Sequence, residues 1–222
     1  MRERVDNKAE HVYRELKEAI LAGALEPGAP IDKPALCERL CVSRFPVSAA
    51  VSRLAFEKLA VVEPQHGSFV SRISVEDVRE RLFIRHALEC EVAAEAARRL
   101  GGEGRLALAA SLARQREAVE AGDRQAFYAR DVEFHQALTA HLDLRRSGEI
   151  LDGLRAHLER ARRLLMAPEG RIRASFAEHA AIVETIEASD AEGARAAMDR
   201  HLAVTSANFE AFARERPGLF SP

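Results

Sequence analysis

Asp131 and His135 are four residues apart, so on a helix they share one face with Tyr128, Val132, Leu138 and Leu142. His179 falls in register with Phe176, Ile182, Val183 and Ile186, and His201 with Ala194, Ala197, Met198 and Val204. These polar residues therefore occupy the inward stripes of three different helical segments. A single inward histidine is ordinarily a hydrogen-bonded core residue. Three of them, with a carboxylate one turn away, are another matter, because isolated buried polar groups each cost on the order of a few kcal/mol. Three imidazoles and one carboxylate form a donor set suited to a divalent metal such as Zn, Ni, Fe or Mn. His11, His66, His86, His141 and His157 lack comparable support as ligands. Arg85 shares a stripe with Val78, Leu82, Leu88 and Val92, so its guanidinium should point inward and require a carboxylate. Two partners are open to it: Glu89, one turn along, and the acid group of a small organic effector. The expectation is the effector, alone or shared with Glu89.

These residues need rigid elements to carry them, and proline placement shows where those lie. Five of the eight prolines fall in the first 64 residues and the next is Pro168. The proline-free stretch between is rich in Ala, Leu, Glu and Arg and reads as stacked helices. The spacing predicts helices at 75–99, 103–121, 124–142, 147–166, 172–188 and 191–214. They are separated by Gly101-Gly102, Gly122-Asp123, Arg146-Ser147-Gly148, Pro168-Glu169-Gly170 and Ser189-Asp190. An all-α bundle of about six helices follows. Ser74 has an acidic residue three positions on, which marks the start of the first of them.

The front segment is smaller and mixed. Val12, Leu16, Ile20 and Leu21 lie on one helical face, which Gly23 ends. A short helix from about Pro34 to Leu40 follows, then a turn at Cys41-Val42. Next comes a helix capped by Ser43, with Pro46 in its first turn and Val47, Val51, Leu54 and Leu59 inward. Val61-Val62-Glu63 and Ser68-Phe69-Val70 flank Gln65-His66-Gly67 as a hairpin. This is the layout of a winged helix-turn-helix, whose second turn helix enters the DNA major groove. The fold expected is thus mainly α: a winged helix-turn-helix domain over 1–73 and an all-α domain over 74–216, with the linker at 70–73.

Composition bounds the rest. The chain has 222 residues, 47% hydrophobic and 31% charged, enough for a substantial core. No run approaches the ~18 apolar residues of a membrane span, the first residues carry charges where a secretory signal needs an apolar segment, and three cysteines make no disulfide framework. A cytoplasmic protein without a membrane partner is expected. The net charge of −2 divides into +1 over 1–73 and −3 beyond, so any phosphate contact must come from a local patch. Cys37 and Cys41 read as small packed side chains near the turn, and Cys90 as core.

Three stretches carry a resemblance. Ala22-Gly23-Ala24-Leu25-Glu26-Pro27-Gly28, Cys41-Val42-Ser43-Arg44-Phe45-Pro46-Val47 and Pro64-Gln65-His66-Gly67-Ser68-Phe69-Val70 resemble, in order and spacing, the signatures of GntR-type transcription regulators. The resemblance covers about residues 8–72 and implies a dimeric winged-helix reader of near-palindromic double-stranded operator DNA. Ser48-Ala49 stands where the family usually has Arg-Glu, and Pro34 aligns with a common basic position. Arg44 is the retained basic residue and can address a guanine. Ser43, Phe45, Ser48, Ser52, Arg53 and the wing pair His66-Gly67 are the other DNA candidates.

Arg85-His86-Ala87-Leu88-Glu89, Asp131-Val132-Glu133-Phe134-His135, Glu178-His179 and His201-Leu202 resemble the FCD ligand domain of the FadR-type branch, over about 78–205. The resemblance implies that Asp131, His135, His179 and His201 hold a divalent metal and that a small carboxylate effector completes the coordination. The presence of all four argues against the metal-free acyl-CoA-binding version. Leu144 replaces a frequent Asn. The function expected is a metabolite-responsive regulator, typically a repressor, and not an enzyme. The alternatives are a metal-dependent enzyme using the Asp/His₃ set, or a regulator whose metal is structural or itself the signal.

Overall fold

The computed structural model describes residues 2–164 and 170–221. Of the predicted break Pro168-Glu169-Gly170 only Gly170 falls among them, and the predicted helix end at 165–166 lies outside the described residues. The chain forms two units. One joins the residues up to Val78 to 159–164 and the stretch from Phe212, and the other holds Arg79–Leu158 and the stretch ending at Ala211.

In the first unit, α1 (Arg2–Leu21), α2 (Lys33–Arg39) and α3 (Arg44–Phe56) precede a hairpin of β1 (Ala60–Glu63) and β2 (Gly67–Val70). Gly23, at φ 79°, ends the first helix, since that left-handed conformation strains any residue with a Cβ. Asp32 caps α2 by accepting from the Ala35 N–H at 2.9 Å. Ser43 stands at the cap position of α3, as expected, but its hydroxyl makes no capping bond. Val12, Tyr13, Leu16 and Ile20 of α1 pack with Val47, Ala50, Val51 and Leu54 of α3. That packing leaves the opposite stripe of α3 in solvent.

The hairpin is antiparallel, with Ala60 opposite Val70 and Glu63 opposite Gly67, one residue longer on each strand than the sequence predicts. Gly67 opens β2 at φ 123° instead of lying in the turn. Pro30 bridges to Phe69 beside it. An element with no sequence signal follows: β3 (Ile73–Ser74) pairs in parallel with β4 (Phe220–Ser221), after a short 3₁₀ turn at Pro217–Leu219. The segment expected to be a linker is therefore partly strand.

Six helices follow: α4 (Val75–Arg99), α5 (Gly102–Glu120), α6 (Arg124–Ala140), α7 (Arg145–Leu164), α8 (Arg171–Glu187) and α9 (Ala191–Glu215). Their described bounds agree with the predicted ranges to within a few residues, the predicted end of the fourth lying outside the described residues. The Ser74 hydroxyl accepts from the Asp77 N–H at 3.1 Å, the cap its spacing predicts. In the second unit, one core draws Ala93, Ala97, Leu108, Phe134, Leu138, Ile182, Ile186, Met198 and Leu202 from five of the helices. Arg105 ties two helix ends, donating to the carbonyls of Leu100 and Ile186 at 3.1 and 2.7 Å.

Candidate functional site

Asp131 and His135 lie one turn apart on α6, His179 on α8 and His201 on α9, and the apolar stripes that bury these helices carry the four polar groups inward together. One ligand atom from each lies within 4.8 Å of the others. The three histidines are 1%, 0% and 3% exposed. His179 Nε2 lies 3.3 Å from His201 Nε2 and 3.5 Å from Asp131 Oδ1.

The outer nitrogens determine what those inner ones are. His179 Nδ1 lies 2.7 Å from Gln115 Oε1, His201 Nδ1 lies 2.7 Å from Glu178 Oε2, and His135 Nδ1 lies 2.7 Å from Glu89 Oε2. Gln115 has its amide end fixed, because its NH₂ donates to the Arg130 carbonyl at 3.3 Å and its oxygen is thereby turned to His179. His179 and His201 Nδ1 each face a hydrogen-bond acceptor and carry the proton, and His135 carries its proton on Nδ1 as well because Arg85 Nη2 can only donate to its Nε2. Each Nε2 then has a lone pair: that of His135 faces Arg85 Nη2 at 3.3 Å, and those of His179 and His201 point at one another without a proton between them. That arrangement is unfavourable unless a cation sits there, and outer partners that orient the rings in this way accompany metal-ligating histidines. The residues fit a divalent metal.

Electrostatics agree. Burial pushes the His135 imidazole down to about 4 against the opposing pull of Glu89. Burial, then the neighbouring His201, holds His179 well below the usual imidazole range. Both rings are neutral at pH 7, as ligands must be. Burial alone would raise the Glu178 carboxyl, but hydrogen bonds from Arg171 and His201 outweigh it and bring it to about 2.

Arg85 is inward as expected, and the structure seats it on Glu89. Its Nε donates to Glu89 Oε1 at 2.9 Å, and its Nη2 lies 3.3 Å from His135 Nε2. A second guanidinium joins it, since Arg155 of α7 donates through Nη2 to Glu89 Oε1 at 2.7 Å. Glu89, 2% exposed, thus receives Arg85, Arg155 and His135. Burial raises its carboxyl, but Arg85 and the other two hold it well below the ordinary carboxylate range. Sequence reasoning missed Arg155, Gln115 and Glu178 as members of this cluster.

The DNA candidates all lie in the first unit and are all exposed. Arg44, Ser48 and Ser52 recur every fourth residue along the exposed stripe of α3, with Phe45, 70% exposed, beside them and Ser43 at the helix start. His66 lies in the hairpin turn and Gly67, next to it, opens β2. Arg53 stands apart from that stripe. It pairs with Glu10 at 2.6 Å and lies over the Tyr13 ring at 3.6 Å, so it clamps α3 to α1.

The gntR family of bacterial regulatory proteins matches residues 8–70, and the FCD domain matches residues 80–204. The chain is 32% identical over 216 residues to the HTH-type transcriptional repressor RspR of Escherichia coli (strain K12), covering 96% of this chain and 93% of that one. It is 30% identical over 199 residues to a probable D-xylose utilization operon transcriptional repressor of Paenarthrobacter nicotinovorans, covering 83% and 80%. Among solved structures, a putative transcriptional regulator GntR from Rhodococcus sp. RHA1 superposes with a TM-score of 0.71 at 22% identity, covering 92% of this chain and 98% of that one. No helix among the described residues is long and apolar enough to cross a membrane. The chain belongs to the GntR family, pairs its helix-turn-helix with an FCD domain, and is a DNA-binding transcriptional regulator and not an enzyme.

Proposed function

We propose that this regulator is a cytoplasmic homodimeric repressor whose operator affinity is set by a small carboxylate bound beside a divalent metal in the 74–216 domain. Asp131, His135, His179 and His201 hold the metal, and residues 1–73 hold the DNA. The observation that carries this reading is that His179 and His201 each engage an acceptor through Nδ1, so that their Nε2 lone pairs, 3.3 Å apart, are left for a cation beside Asp131 and His135.

Charge supplies the second step. Leaving aside Asp152, which meets Arg155 from the solvent side, Arg85 and Arg155 balance Glu89 and Asp131 inside the bundle before a cation enters. A divalent cation makes this cluster doubly positive, and a buried excess of that kind calls for an anion. When bound, the metal supplies a Lewis-acidic position for one carboxylate oxygen. Arg85, shared with Glu89, supplies the directional hydrogen bonds that a carboxylate accepts in pairs. Arg44, Ser48 and Ser52, with Ser43, Phe45 and the wing residues His66-Gly67, face the DNA, while Arg53 positions α3 from behind. Effector control then requires only that the acid favour one arrangement of the dimer over another.

Metal analysis and native mass spectrometry of gently purified protein test the reading. The Asp131/His135/His179/His201 site should contribute about one equivalent of metal, so His179→Ala and His201→Ala should each carry about one equivalent less than the parent and melt at a lower temperature. Full occupancy in either variant would return that histidine to an ordinary core role.

A further inference from the structure

His86 and Cys90 stand one turn apart on α4, on a face rotated by one residue from Arg85 and Glu89, and Asp199 of α9 meets them there. One ligand atom from each lies within 4.8 Å of the other two, and His86 Nε2 is 2.7 Å from Asp199 Oδ1. Cys90 is buried, whereas the His86 and Asp199 side chains are 33% and 58% exposed. A sulfur therefore forms the floor of the cluster, a nitrogen and an oxygen form its rim, and solvent reaches it. The neighbouring Arg195 is engaged by Glu91 and Glu192 and leaves Asp199 to His86.

We propose that His86, Cys90 and Asp199 form a second metal site, for a zinc-type divalent cation, that clips α4 to α9. The donor set decides the class of ion. Thiolate with imidazole and one carboxylate suits zinc and cobalt(II), and is foreign to the hard cations calcium and magnesium. Three protein ligands leave a fourth tetrahedral position for water, which the exposed rim admits. Two ligand atoms at ~2.1 Å from one tetrahedral ion stand roughly 3.4 Å apart, so the Asp199 carboxylate must swing outward by about 0.7 Å from its 2.7 Å contact with His86, and its exposure permits that. Burial and the nearby Asp199 push the Cys90 thiol up to about 11, so it holds its proton until a cation arrives. Binding forms the metal–sulfur bond and releases that proton to solvent. Thiolate and carboxylate then neutralise the divalent charge, so this site needs no added anion, unlike the cluster around His179.

The His179 site contains no sulfur, which makes the two sites separable by spectroscopy. Reduced, chelator-stripped full-length protein is titrated anaerobically with cobalt(II) chloride. A sulfur-to-cobalt charge-transfer absorption should develop in the near ultraviolet, persist in His179→Ala and in the Cys37→Ser/Cys41→Ser double variant, and vanish in Cys90→Ser. His86→Ala and Asp199→Asn should weaken the cobalt binding reported by that band by on the order of tenfold or more. No such band in the parent at saturating cobalt overturns the proposal, whatever becomes of the His179 site. So does a band that survives Cys90→Ser or disappears with Cys37 and Cys41.

Discussion

Gln115→Leu removes one hydrogen-bonding group at the back of one imidazole and touches no ligand atom. In the parent, the Gln115 oxygen accepts from His179 Nδ1 at 2.7 Å in a position that is 0% exposed. Leucine keeps the apolar volume but offers no acceptor. The His179 Nδ1–H then loses its partner, at a cost of about 1–3 kcal/mol for an unsatisfied buried donor. The ring can escape by moving its proton to Nε2, where 3.3 Å from His201 Nε2 it makes an N–H···N bond. That escape consumes the lone pair the metal needs. Metal affinity should therefore fall by roughly 10- to 100-fold, or about 1.4–2.7 kcal/mol, although every ligand is still present. Competition of Zn²⁺ or Mn²⁺ against a chromophoric chelator measures this, with thermal melts of both metal-free proteins run alongside. A variant that is destabilised yet binds metal as tightly as the parent would refute the reasoning, because Gln115 would then be a core residue and not the group that sets the His179 tautomer.

Two further outcomes are expected. Arg44→Ala, on the exposed stripe of α3, should weaken specific operator binding by ~1–3 kcal/mol in fluorescence anisotropy while leaving metal content unchanged; equal binding would remove Arg44 from the interface. In metal-free protein His135 titrates at about 4 in the fold and near 6.5 when unfolded, so between these values the unfolded chain binds more protons. Stability should therefore be lost as pH falls from about 6.5 toward 4, and a flat melting temperature across that window in chelator would contradict a buried neutral His135.

Much of this was legible because helical burial is periodic. The inward stripes placed Asp131, His135, His179 and His201 on the correct faces, and the packing of those faces brought them together. The outer partners left a weaker trace. Gln115 follows Leu108 and Ser111 on the buried stripe of α5, and Arg155 lies among Leu151, Leu154 and Leu158 on α7, so each was a polar residue on an inward face. Periodicity says that such a residue points inward, but not which helix it meets. Gln115 with His179, and Arg155 with Glu89, are therefore facts of tertiary packing. The same limit applies to Arg53, whose pairing with Glu10 and stacking on Tyr13 of α1 leave no trace in the α3 sequence. The β3–β4 pair joins residues nearly 150 positions apart through strands of two residues each, too short for any local alternation to register.

Whether an acid bound beside the metal changes operator affinity is decided by one titration. Labelled operator DNA is titrated with metal-loaded protein in the absence and presence of a panel of small mono- and dicarboxylates, and the series is repeated on chelator-stripped protein. At least one acid should shift operator affinity by ~5- to 150-fold, the shift should disappear without metal, and operator DNA should alter the affinity for that acid by the same factor. Identical operator affinity with every acid, in metal-loaded protein that binds its operator normally, would contradict effector control and leave the metal as a structural ion or as the signal itself.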